Sequence, residues 1–237
     1  MASTDIGESH RVASWFSQVR CITGKDLRIE ARSGEVIVTS SFFALLVVVI
    51  ASLAFHGGPL GRASVAAGTL WLSVAFAAVL ALSRSWQRER EESAYVGLLA
   101  APLRRSALYV GKLMSLLLFL GVVLCVVVPL VAVLFAIDLV QMGPALLIIV
   151  LCATPGIAAV GTLFGAMTVR TRARDLMLAL VLFPLLAPTL LAAVVASREL
   201  FGGAPLSELT DYFSLMGLFD FVFLTGGVTM FGMLIDE

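Results

Sequence analysis

Along this chain, long apolar runs alternate with short polar ones, and the lengths of the apolar runs set the reading. A helix crosses the hydrocarbon core of a bilayer with about 20 apolar residues. Six runs reach that length: residues 36–55 (built around SFFALLVVVIASLAF), 64–83, 113–137, 145–169, 176–196 and 212–235. The pattern predicts an all-α membrane protein of six transmembrane helices, with residues 1–237 forming a single integral membrane unit. The first run follows 35 mostly polar residues and is not trailed by an Ala-x-Ala site, so it reads as a span and not as a signal peptide.

Two polar stretches have patterns of their own. Before the first span, Val12, Trp15, Phe16, Val19 and Ile22 recur at helical spacing, while Arg11, Arg20, Lys25 and Arg28 supply a cationic side. Residues 10–33 are therefore expected to form an amphipathic helix lying on the membrane surface. Its role is either to anchor the chain or to couple motion at that surface to span one. Between spans two and three, residues 84–112 (RSWQREREESAYVGLLAAPLRRSALYVGK) form an island of six basic and three acidic residues. Ser85–Leu99 is expected to be helical up to a turn at Pro102. Its charged half (Glu89, Arg90, Glu91, Glu92) and apolar half (Tyr95, Leu98, Leu99) suit a groove on a partner protein. Arg104, Arg105 and Lys112 then flank span three, where lipid phosphates suffice to hold them.

Composition excludes a soluble domain. Hydrophobic residues make up 60% of the chain and charged residues 14%, against about 25% charged in soluble proteins. The net charge of zero conceals a sorting. The amino-terminal tail, the island and the 170–174 loop carry fourteen of the 16 Lys and Arg residues, and the alternate loops carry two. By the positive-inside rule both termini and the island face the cytoplasm.

Candidate chemistry is sparse. There is no GxSxG, HExxH, paired aspartate or GxxxxGK[ST] phosphate loop, so no catalytic residue, metal site or nucleic-acid partner is expected. Cys21, Cys125 and Cys152 lack ligand spacing, and His10 and His56 are isolated. Asp220 is the one acid well inside a span, which marks either a functional site or a side chain within two turns of the outer interface that reaches water or a polar helix neighbour. The spans also carry Pro129, Thr154, Pro155, Pro184 and Pro188, with Gly161 and Gly165 in a GxxxG arrangement. Prolines kink membrane helices where neighbours replace the lost hydrogen bond, and paired glycines permit close helix approach.

With those residues in view the chain resembles the six-span permeases of ATP-binding cassette (ABC) exporters, and more narrowly the CcmB family. Arg88 through Glu92, followed by Leu98-Leu99-Ala100-Ala101-Pro102-Leu103, resembles that family's acidic segment ending in a Leu/Pro turn. Gly111-Lys112-Leu113, Val128-Pro129-Leu130, Thr154-Pro155-Gly156 with Gly161 and Gly165, and Phe183-Pro184 with Pro188 extend the resemblance from about residue 25 to 196. It implies a permease subunit in the bacterial inner membrane serving haem export and delivery for c-type cytochrome maturation. Haem would be cargo, not a bound cofactor, and ATP would be hydrolysed on a partner ATPase subunit that the island contacts. Membrane lipids and other cytochrome c maturation proteins are the further expected partners, and a homodimer is compatible. The same architecture would serve a general exporter of lipid, drug or polysaccharide, and a membrane assembly scaffold without transport is the alternative from another class.

Overall fold

The computed structural model describes the backbone of residues 14–55, 59–91, 104–168 and 174–236, and the side chains of most of these. Seven α-helices and one short 3-10 turn account for nearly all of it. They are α1 (Trp15–Ser33), α2 (Glu35–Ala54), α3 (Pro59–Glu91), α4 (Arg105–Phe135), α5 (Leu139–Thr168), α6 (Arg174–Phe201), a turn at Leu206–Leu209, and α7 (Thr210–Asp236). Six are long and apolar enough to cross a membrane, and no strand occurs among the described residues. The chain is a multi-pass, all-helical membrane protein.

The helices outrun the apolar segments that announce them. α3 continues through Glu91, and α4 begins at Arg105, so both ends of the 84–112 island are helical extensions of spans and not loop. Only its middle, 92–103, lies outside the described residues, as do His10, His56 and the Arg170 and Arg172 positions.

Burial separates centre from rim. In α3 and α5, 67% of the membrane-crossing window is buried, against 22% in α2 and 11% in α7. α3 holds the centre through small side chains, with Ala66, Ala67, Ala75, Ala77, Ala78 and Ala81 all buried. Small residues let helix backbones approach where no hydrophobic force between helices exists in lipid. α3 packs on α2, α4, α5 and α6, while α5 packs on α3, α4, α6 and α7. The exposed face of the outer helices is apolar, as in Leu53 of α2 and Phe221 of α7, and suits acyl chains.

Interhelical hydrogen bonds lie inside this packing as well. Trp71 Nε1 on α3 donates to Ser197 Oγ on α6 at 2.9 Å, and both side chains are inaccessible. Ser197→Ala would leave a buried indole N–H without an acceptor. The expected result is a loss of about 1 kcal/mol in a detergent unfolding titration, with a smaller loss in the Trp71→Phe/Ser197→Ala double variant than the two single losses summed.

Candidate functional site

Two features of the bundle could carry function: a polar clamp where α1 meets the spans, and a polar point in the middle of the apolar bundle.

The clamp follows from an elementary need. A helix leaves its first backbone N–H groups without partners, and three spans begin at the end of the bundle that carries α1. α2 begins at Gly34, which has no side chain to cap it, and Arg104 caps α4 with no side-chain bond. α1 supplies what both lack. Glu30 Oε1 accepts from Ile37 N at 2.7 Å, and Gln18 Oε1 accepts from Arg104 N at 3.0 Å. The elbow between α1 and α2 is one residue, Gly34, at φ +63°. That left-handed backbone strongly favours glycine.

Further along the α1–α4 contact, Lys112 Nζ lies 2.9 Å from Asp26 Oδ2, with side chains 4% and 7% exposed. Asp26 Oδ2 meets no hydrogen-bond geometry, so the attraction is Coulombic. Thr23 Oγ1 donates to the Gly111 carbonyl at 3.0 Å, and Trp15 Nε1 to Ser106 Oγ at 3.1 Å. Gly111 itself is needed for closeness, because a Cβ there would come 2.8 Å from Ile22. The bundle-facing stripe of α1 is therefore Gln18, Ile22, Asp26 and Glu30. The apolar series expected from spacing shares only Ile22 with it, and Phe16 is left 74% exposed on the flank. Lys112, expected at lipid phosphates, is instead buried against a carboxylate. The reason is the helical extension of α4, which raises Lys112 out of a loop and into the packed junction.

Arg84 on α3 reaches Glu35 on α2 at 3.2 Å, across exposed surface. Both described ends of the island are thus in contact with the clamp or its elbow. Glu89, Arg90 and Glu91 lie on the last turns of α3, their side chains outside the described residues, as are Glu92, Tyr95, Leu98 and Leu99 altogether.

The midbundle point involves three helices. Asp220 on α7 lies against the backbone of Gly156, near the middle of α5, where a Cβ would strike its Oδ1. Thr189 of α6 borders the same position. Gly156 and Thr189 each follow a proline, Pro155 and Pro188, so the kink residues and the intramembrane acid meet at one level. Pro129 and Pro184 do not join them and sit on exposed faces of α4 and α6. The Thr154 hydroxyl donates back to the Val150 carbonyl, filling local bonding beside the kink. Gly161 has the role its spacing suggests, admitting Leu82 of α3 and Leu116 of α4 into close contact, and Gly165 is buried one turn on.

Tyr109 was not singled out by the sequence. It is fully buried, its hydroxyl donating to the carbonyls of Phe223 (3.1 Å) and Ala159 (3.3 Å), so α4 pins α5 to α7. Gly227 makes room for its ring, which packs on Phe231. A tyrosine in a charged loop reads as interfacial, and only the extension of α4 brings it inside.

A groove of about 570 Å³ opens on the flank between α2, α3 and α6. Val47, Leu72, Phe183 and Leu191 line it, and among the described residues no histidine, cysteine or methionine does. Among the described residues no three of His, Cys, Asp or Glu converge as a metal site would require.

A six-span helical bundle with a polar surface helix clamped onto its first and third spans defines an integral, multi-pass membrane protein. The chain belongs to the CcmB protein family, whose profile matches residues 18–231. It is 32% identical over 178 residues to the Heme exporter protein B of Rhodobacter capsulatus, covering 73% of this chain and 79% of that protein. The protein of the same name from Paracoccus denitrificans is 30% identical over 191 residues, covering 78% and 85%. That of Haemophilus influenzae is 28% identical over 174 residues, covering 73% and 77%.

Proposed function

We propose that this chain is the permease subunit of an ABC transporter that serves haem export for c-type cytochrome maturation. ATP hydrolysis takes place on a separate subunit. Membership of the CcmB family carries this reading, and the relatives named Heme exporter protein B support haem as the exported group. Haem is cargo here and not a resident cofactor. The chain sits in the bacterial inner membrane as one unit of six spans, with the α1 end in the cytoplasm, as the sorting of Lys and Arg favours.

In this reading Glu89, Arg90, Glu91, Glu92, Tyr95, Leu98 and Leu99 form the surface that meets the ATPase, and other cytochrome c maturation proteins complete the assembly. The contacts on both sides of that surface support it. Arg84 touches the start of α2 through an exposed ion pair, and Arg104 through Lys112 are held by α1. A push on the island therefore reaches α1 and α4 through the buried clamp and α2 more weakly through Arg84.

Glu89→Lys combined with Glu91→Lys should reverse the local charge and sharply reduce the amount of ATPase subunit that co-purifies with this chain. Undiminished co-purification with an unchanged ATPase rate would reject the island as the docking surface. The cargo is tested apart from this, by deleting the gene and staining for haem in c-type cytochromes. Loss of the stained bands is expected, and their normal appearance would point to a different exported molecule.

A further inference from the structure

Asp220 has surroundings that the exporter reading does not use. Its Oδ1 is buried and has no hydrogen-bond partner. The hydroxyl of Thr189 is also buried without one, in a side chain 1% exposed. Asp220 Oδ1 and the Thr189 methyl carbon Cγ2 both lie within 4 Å of the point where a side chain at Gly156 would begin, so the Thr189 hydroxyl is carried on the same side chain beside the acid. Gly156 and Thr189 are near the midpoints of their helices, so this level is close to the centre of the hydrocarbon layer.

The charges that could balance a carboxylate are elsewhere. Among the described residues Arg20, Lys25, Arg28, Arg32, Arg84, Arg104, Arg105 and Lys112 gather at the α1 end, and Arg62 and Arg198 lie at the opposite end. α7 packs on α4, α5, α6 and the 206–209 turn. From these elements the titratable groups on its side are Cys152 of α5, Tyr109 of α4 toward the α1 end, and Glu208, Arg198 and Glu199 at the opposite end. Arg198 already pairs with Glu199 at 2.8 Å. Asp220 is only partly buried, and the Gly156 backbone is the group placed to donate to it. An ionised carboxylate with no cation beside it is still very costly at this level. A neutral carboxyl removes the charge and adds the donor that a free hydroxyl oxygen can accept.

We propose that Asp220 and Thr189 form a proton-binding site at the junction of α5, α6 and α7, with the Asp220 carboxyl neutral and donating to the Thr189 hydroxyl through one water. Gly156 is the cradle, since any larger residue would occupy the acid's place. Proton occupancy is then linked to the seating of α7, a rim helix whose contact with α5 is among the most extensive in the bundle. Loss of the proton leaves a bare carboxylate at the junction, which weakens the seating of α7 unless water or a cation reaches it.

Infrared spectroscopy of the full chain in lipid nanodiscs tests this directly. In mildly acidic buffer, where an ordinary aspartate is already ionised, the wild type should show the carbonyl stretch of a protonated carboxylic acid that is missing from Asp220→Asn, and this band should disappear as the pH is raised. Thr189→Val should shift the band by removing its hydrogen-bond acceptor. No band in mildly acidic buffer would overturn the proposal. A band that sodium or potassium ions abolish at constant pH would also overturn it, in favour of a metal-cation site. An unshifted band in Thr189→Val would remove Thr189 from the site. Should Asp220→Asn fail to assemble, the wild-type titration and the Thr189→Val shift decide the question on their own.

Discussion

Lys112→Ala is expected to destabilise the protein by about 3–5 kcal/mol, the usual cost of stranding one charge of a buried pair. Asp26 would be left buried 7% exposed with its near cation gone, and its other neighbour, Lys25 at 3.4 Å, is more than one-third exposed and much more weakly placed. The loss should appear as an earlier midpoint in detergent unfolding. It should also release α1, so that limited proteolysis cuts between Ser14 and Gly34 at a protease level that spares the wild type. Replacing both partners, Asp26→Leu with Lys112→Met, should recover most of the stability, because two apolar side chains leave no charge to solvate. If Lys112→Ala melted and resisted protease like the parent, the clamp would not be a structural tie. The double variant separates a lost attraction from damaged packing.

Tyr109→Ala is expected to cost a similar amount, about 3–5 kcal/mol, by opening a cavity among three helices. Tyr109→Phe keeps the ring beside Gly227 and Phe231 and gives up only the bonds to Phe223 and Ala159, so its cost should be near 1 kcal/mol. That ordering is the informative result. Equal losses would mean the hydroxyl, and not the volume, holds α7 on α4 and α5. Gly227→Ala should resemble overpacking, because a Cβ there would collide with the tyrosine ring.

The spans and their number were legible because nothing but lipid explains runs such as SFFALLVVVIASLAF. The glycine at 161 was legible too, since GxxxG spacing has one simple mechanical meaning. What could not be read were the contacts made by polar residues. Gln18, Asp26 and Glu30 share with Ile22 one four-residue register along α1, yet a mostly polar stripe on a surface helix ordinarily means water. It faces protein here because the ends of α2 and α4 need acceptors, and that need appears only once the helix starts are placed. Lys112 was misplaced, and Tyr109 passed over, for a related reason. Hydropathy finds where a span becomes apolar and not where its helix begins, and α4 begins eight residues before the predicted span at 113. Asp220 was conspicuous in the sequence, but its neighbours come from helices far away in the chain. Nothing in its own span announces Gly156 or Thr189.

The clamp also has an order in time. A ribosome delivers α1 long before its partners: Gln18 and the Arg104 N–H that it caps are separated by 86 residues. Until the third span has entered the bilayer, the carboxylate of Asp26 has only the exposed Lys25 beside it and no Lys112 to meet, and the surface helix must wait with its polar stripe in water. Seating of α1 is therefore a late checkpoint of biogenesis, reached only after two earlier spans have threaded in the correct direction. A chain that inserted its third span upside down would carry Lys112 to the wrong side and leave α1 loose, open to a quality-control protease.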